Sequence, residues 1–348
     1  MDKEKKIVVG ISVGDLNGIG LEVVLKTFED KRMLDFCTPV IFGSSKAVSD
    51  HNKFVQSELQ PFEINHLENT NPNKMNVLNV WKEDVALCLG TPTEASGAFA
   101  LQSLTAATEA LRNGDIDVLI TAPISKDNIQ SETFNFAGHT EFLESKLAGE
   151  SLMILMTEGL RLGLVTGHVP VAKVAETITK ELVLKKVEIM YQTLVQDFGI
   201  SKPRIAVLGL NPHCGDNGVI GNEDEELIRP TLLEIQEKGK LVYGPYAADG
   251  FFGSQNYQKF DGVLAMYHDQ GLVAFKTIAF GSGVNFTAGL SGIRTSPDHG
   301  TAFEIAGKGI ANSSSFKEAL FTGLEIFKTR TRHKELSENR LKIKKTRQ

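Results

Sequence analysis

Three histidines of this chain share one local setting, and that setting defines the chemistry on offer. His168 stands in Gly167-His168-Val169-Pro170, His213 in Asn211-Pro212-His213, and His268 in Tyr267-His268-Asp269-Gln270-Gly271. Each follows a short apolar run, over 162–166, 204–210 and 261–266, whose length and content suit a buried strand. Neighbouring parallel strands end on one edge of a sheet, where open α/β sheets place their ligands. A lone imidazole in such a place is usually structural. Three in a repeated context make a candidate site for a divalent transition ion, zinc first. Magnesium alone prefers carboxylate and water oxygens.

Lys276, Asn285 and Arg294 follow the last histidine and suit an anionic substrate, because a guanidinium grips carboxylate or phosphate in a fork. The run 291–302 is rich in turn formers and hydrogen-bond donors, so it fits a nucleotide-wrapping loop or a surface loop. In Gly138-His139-Thr140-Glu141 a helix begins, which places His139 and Thr140 at its positive end, as anion ligands or as a capping arrangement. Asp249 is a helix cap or a site carboxylate at the end of a loop, Tyr243 to Asp249. Gly14-Asp15-Leu16-Asn17-Gly18-Ile19-Gly20 lies between strand and helix. Its spacing matches neither a Walker loop nor GxGxxG, leaving an anion cradle and a tightly packed turn as equal readings.

The elements that must position these groups alternate. Strands are expected at Ile7–Val13, Thr38–Gly43, Val118–Pro123, Leu152–Met156 and before each histidine. Helices are expected from Leu21, Ser44–Val55, Thr93–Asn113 and Thr179–Phe198. The acidic stretch Glu223–Glu226 suits the first turn of another helix. The pattern predicts an α/β fold with a mostly parallel sheet in αβα layers, in two such domains.

At 348 residues, with 41% hydrophobic and 23% charged content, the chain has the composition of a soluble globular protein. No apolar run is long enough to span a membrane, and three widely spaced cysteines form no disulfide framework, so a cytoplasmic setting is expected. The formal charge of −6 hides a basic tail: residues 328–348 carry +7, leaving −13 for the rest. Without aromatic interleaving or a recognition motif, nucleic acid is not an expected partner, and the tail reads as a solvated helix end.

Taken together, these motifs resemble the 4-hydroxythreonine-4-phosphate dehydrogenase family of vitamin B6 biosynthesis, over roughly residues 7 to 328. Thr121-Ala122-Pro123-Ile124-Ser125-Lys126 and Asp298-His299-Gly300-Thr301-Ala302 add to the match; Leu16 and Glu304 depart from it, where Pro and Asp are usual. The resemblance implies an isocitrate/isopropylmalate-dehydrogenase-like fold with a cleft between two αβα domains, residues 1–125 plus 285–330 and 126–284, followed by the tail 331–348. It also implies a homodimer whose second subunit completes the cleft, so the three histidines need not come from one chain.

By the same resemblance His168, His213 and His268 hold the metal: zinc, with cobalt or magnesium as alternatives. His139, Thr140, Lys276, Asn285 and Arg294 contact a small phosphorylated substrate. Thr295, Ser296, Asp298, His299, Gly300 and Thr301 form the adenosine loop for NAD or NADP. The proton acceptor is left open among Asp269, Asp249 and Lys276. The implied reaction is oxidation of 4-phosphohydroxy-L-threonine to 2-amino-3-oxo-4-(phosphooxy)butanoate, which decarboxylates to 3-amino-2-oxopropyl phosphate. Competing readings are a paralogue oxidising 4-phospho-threonate or 4-phospho-erythronate, a phosphotransacetylase-like acyltransferase, and a binding protein without activity.

Overall fold

In the computed structural model, which describes residues 6–279 and 281–338, the sequence alternation becomes layers. Twelve strands form one sheet: β1 Ile7–Ser12, β2 Cys37–Gly43, β3 Phe62–Ile64, β4 Asn76–Asn79, β5 Val118–Thr121, β6 Gly149–Thr157, β7 Leu160–Leu164, β8 Arg204–Leu208, β9 Leu241–Tyr246, β10 Gly262–Ala265, β11 Val284–Leu290 and β12 Arg294–Pro297. Their order is β3-β4-β2-β1-β5-β12-β11-β6-β7-β10-β8-β9. The helices are α1 Gly20–Phe28, α2 Met33–Phe36, α3 Ser45–Val55, α4 Glu94–Asn113, α5 His139–Lys146, α6 Val174–Thr177, α7 Lys180–Gln196, α8 Arg229–Glu237, α9 Ala248–Gly253, α10 His268–Ile278 and α11 Ser314–Glu338.

Successive strand residues point to opposite faces. Val9 and Ile11 of β1, Ile154 of β6, Ile205 and Val207 of β8 and Leu264 of β10 all join one core, with residues of α1, α7 and α11. The opposite face divides in two. Phe42 and Leu119 pack with α4 and α5, whereas Leu155, Leu162, Ala206 and Val263 pack with α9 and α10. Between these two groups of helices runs the cleft.

Most pairings are parallel, as the sequence predicts. The exceptions are β11 against β12, β11 against β6, and β6 against β7, so strand direction reverses in the middle of the sheet. The expectation that helices separate all strands therefore fails here: β6 and β7 form a hairpin through Gly159 at φ +78°. Tyr243–Asp249, read as a loop, also differs. Its first half belongs to β9, an edge strand, where Pro245 costs no interior ladder bond, and Asp249 lies on α9. Beyond Glu338, the remainder of the basic tail lies outside the described residues.

The Gly14–Gly20 turn resolves as packing. Gly14 has φ +66°, and a Cβ there would meet Pro123 O at 2.2 Å. The Asp15 N–H donates to Pro123 O, Gly18 N–H to Asp15 O, and Ile19 N–H to Thr301 O, which engages the donors that an anion would need. Buried Asp15 accepts from Asn17 N–H, Ser96 Oγ and Asn128 Nδ2.

His51 of α3 braces the same turn, donating from Nε2 to Leu16 O at 2.8 Å. Burial pulls its pKa from 6.5 to about 4, against the opposing effect of that hydrogen bond. The unfolded chain therefore takes up this proton first. The stability from neutral His51, on the order of 3 kcal/mol, is complete above the unfolded pKa and is lost as pH falls toward the folded one. Denaturant titrations at neutral pH and at about pH 5 should show the parent losing about 2 kcal/mol more than His51→Gln. Equal losses would exclude His51 as the source.

Candidate functional site

The cleft, of about 240 Å³, is lined from both helix groups and from the sheet between them. The strand β11 brings Asn285, and β12 brings Arg294 and Ser296; β5 and the turn after it bring Thr121 and Lys126. The first turn of α5 brings His139, Thr140 and Glu141, as the sequence predicts, while α10 brings His268 and Lys276. His168 comes from the turn after β7, and Asp298, His299 and Gly300 from the turn after β12.

Arg294 is 2% exposed and has no carboxylate within ion-pair distance among the described residues. Its guanidinium donates to Thr121 Oγ1 and, at 3.0 Å, to Thr287 Oγ1. Burial pulls its pKa down to about 9, which still leaves a cation at neutral pH. Glu141 favours the charge through space but makes no ion pair with it, and a desolvated cation so held is costly unless a ligand supplies a closer anion. His139 is held well below its usual range by burial and by the nearby cations Arg294 and Lys126, so its ring is neutral. His139 Nε2, Glu141 Oε2, Asn285 Oδ1 and His299 Nε2 are shut from water without a hydrogen-bond partner. Four such atoms on the walls of one cleft point to a polar ligand.

Two of the three metal candidates come together. The rings of His168 and His268 lie with centroids 5.6 Å apart. Local structure fastens both: Thr166 donates through N and Oγ1 to Met266 O, joining the two strand ends. Gln270 accepts from Met266 N–H and donates to Gly209 O, tying this corner to the exit of β8. Gly271 permits the seat of α10, since a Cβ there would meet Leu162 Cδ2 at 2.7 Å.

Each ring has its Nδ1 engaged by a carboxylate, His168 by Glu141 Oε1 at 3.0 Å and His268 by Asp269 Oδ1 at 2.7 Å. That arrangement leaves Nε2 with its lone pair, the form in which imidazole binds metals. The donor set thus fits a transition ion in type, though within one chain the described residues bring no three His, Cys, Asp or Glu close enough to hold one. Glu141 is pushed up by burial but more strongly held down by the bond from His168 and its own backbone N–H, so it stays ionised.

His213 does not line the cleft. It is exposed on the turn after β8, at φ +52°, beside Cys214 at +54°, Asp216 at +45° and Asn217 at +53°. Asp224, fully buried in the acidic stretch that opens the next helix, accepts from the N–H groups of Leu210 and Asn211 and holds this strained turn. The acidic stretch does open a helix, as a π-helical turn Asp224–Ile228 that runs into α8, with a bracing role added.

The other predicted residues divide. Thr295 points through the sheet, donating to Ala319 O of α11, so its side chain is away from the cleft. Thr301 lies against Gly18 rather than in the cleft. Asp249 and Asp269 are exposed and do not line it, whereas Lys276 does, with Nζ 3.4 Å from Asp298 Oδ1. Burial pushes the Asp298 carboxyl up. Lys126, Glu141, Thr121 and Thr287 had no assigned role from sequence. The first three lay inside motifs already noted, and only the tertiary contacts distinguish them from turn and capping residues.

Known proteins share this sequence and fold. The family model described as "Pyridoxal phosphate biosynthetic protein PdxA" matches residues 35–322. A 4-hydroxythreonine-4-phosphate dehydrogenase of Bacteroides thetaiotaomicron is 50% identical over 342 residues, 98% of this chain and 94% of that protein. The crystal structure of the 4-hydroxythreonine-4-phosphate dehydrogenase from Klebsiella pneumoniae superposes with a TM-score of 0.79 at 30% identity, covering 93% of this chain and 100% of that one. Isocitrate dehydrogenase from Methylococcus capsulatus, at 11% identity and a TM-score of 0.50 over 95% of this chain and 89% of that one, shares the fold alone. The chain belongs to the family of the pyridoxal phosphate biosynthetic protein PdxA.

Proposed function

We propose that this chain oxidises 4-phosphohydroxy-L-threonine to 2-amino-3-oxo-4-(phosphooxy)butanoate, which then loses CO₂ to give 3-amino-2-oxopropyl phosphate. The observation that carries the reading is Arg294, a buried cation on the cleft wall with hydroxyl partners but no ion pair. Beside it, neutral His139, Thr140 and Asn285 provide a hydrogen-bonding seat for the phosphate. Ser296, Asp298, His299 and Gly300 line the side of the cleft where the nicotinamide dinucleotide, NAD or NADP, is assigned. When bound, the nicotinamide accepts hydride, and a divalent metal held by His168, His268 and a partner subunit's copy of His213 supplies Lewis acidity, zinc first.

Of the three proton-acceptor candidates, Lys276 alone lines the cleft of one chain. An ammonium has no lone pair, so Lys276 accepts the hydroxyl proton only after giving up its own. Asp298, 3.4 Å from Nζ and raised by burial, is placed to receive that proton. Exposed apolar side chains near the histidines, Val171, Val219, Ile220 and Val273, suit the homodimer that this reading requires.

The test is reduced-nicotinamide formation with 4-phosphohydroxy-L-threonine, before and after chelation and metal add-back. Turnover that is lost on chelation and restored by a divalent ion is expected. Absence of turnover with the metal-replete protein sinks the substrate assignment, and turnover indifferent to chelation sinks the metal assignment.

A further inference from the structure

One carboxylate oxygen on the cleft wall is left without a partner. Glu141 Oε1 accepts the Nδ1–H of His168, but Oε2 has no partner and is shut from water. The remaining charged groups on the walls are Arg294, Lys126, Lys276 and Asp298, and Asp298 already faces Lys276 at 3.4 Å. Among the described residues, Glu141 makes no ion pair with a Lys or Arg, and Lys126 and Arg294 act on it only through space. The Lys126 ammonium is placed on His168 Nε2, at 3.4 Å, rather than on Glu141.

Such a carboxylate works against a ligand that is anionic at both ends and has only hydroxyls between. A phosphorylated hydroxy acid meets repulsion from it, whereas a phosphorylated amino acid offers an ammonium that cancels its charge. We propose that Glu141 Oε2 receives the ammonium of the substrate, and so selects a phosphorylated amino acid over the phosphorylated hydroxy acid of the same length. This assignment rests on the reading of the cleft as a phosphorylated-acid dehydrogenase site. The terminal torsion of a glutamate is soft, so a small turn of the carboxylate brings Oε2 to the ligand. Because Glu141 also holds His168, its role toward the ligand is separated from its role toward the ring only by comparing two ligands.

The experiment is calorimetric binding, without nicotinamide so that no chemistry occurs, of 4-phosphohydroxy-L-threonine and of 4-phospho-erythronate. The metal-replete parent protein is compared with Glu141→Gln. Gln keeps an oxygen for His168 Nδ1–H and places an NH₂ group where Oε2 stood. The parent is expected to bind the amino acid at least about tenfold tighter, and Glu141→Gln to bring the ratio within about twofold. Equal binding of both acids to the parent overturns the proposal without reference to any variant. So does a variant that weakens both in the same proportion, since Glu141 would then act only through His168. Binding of neither acid to the parent overturns the substrate reading itself, and this proposal with it.

Discussion

Arg294→Met is expected to lower kcat/KM by on the order of a thousandfold while leaving the protein as stable as the parent or more so. The two effects have one cause. The guanidinium lies out of water with only Thr121 and Thr287 hydroxyls as protein partners, so the folded protein bears its desolvation without an ion pair in return. Met has a similar length and no charge to desolvate, so the melting temperature should hold or rise by a few degrees. On the proposed reading, the substrate phosphate would lose its buried cation, a charge-assisted contact whose loss lies at the upper end of single-residue effects. Kinetics and thermal denaturation on the same preparation decide the matter. A variant that loses stability along with activity would show that Arg294 holds the sheet together and that the anion binds elsewhere.

His213→Ala is expected to abolish both metal retention and turnover while moving the melting temperature by less than about 2 °C. Its side chain is exposed and makes no hydrogen bond or ion pair among the described residues, so the fold of its own chain does not depend on it. His168→Ala should lose turnover equally, from within the cleft. The decisive experiment mixes the two inactive proteins under conditions that exchange subunits. If each site takes His168 and His268 from one chain and His213 from its partner, half of the randomised dimers are mixed, and each has one intact site. About a quarter of the parent activity should return. No recovery, with exchange demonstrated by mass, would mean that His213 serves its own chain or no site at all. Metal content measured on each protein alone separates loss of the ion from loss of chemistry.

Much of this site was legible in the sequence because local rules govern it. Apolar runs of strand length, each ending at a histidine, required parallel strands whose ends share an edge, and β7, β10 and β8 do lie side by side. The start of α5 at Gly138-His139 was legible from the glycine before it and the acid in its first turn, signals that act within a few residues, although no side chain caps it. The Gly14–Gly20 turn marked itself as special through glycines at close approaches, but whether its N–H groups faced a ligand or the protein was a matter of contacts with Pro123 and Thr301, more than a hundred residues away.

The same distinction holds for the reversal of strand direction at β11 and β6. A buried strand has the same composition whether its neighbours run with it or against it, so pairing partners decide its sense. The sequence by itself therefore determined which residues end strands, which begin helices, and which of them carry imidazole, guanidinium or carboxylate. Only the tertiary structure decided that Thr295 faces α11 while Arg294 and Ser296 face the cleft. It also set His268 beside His168 and His213 apart from both, and left Glu141 with one oxygen engaged and one free. The reason is physical: the face on which a side chain lies is periodic along the chain, but its partners depend on which distant strand packs beside it.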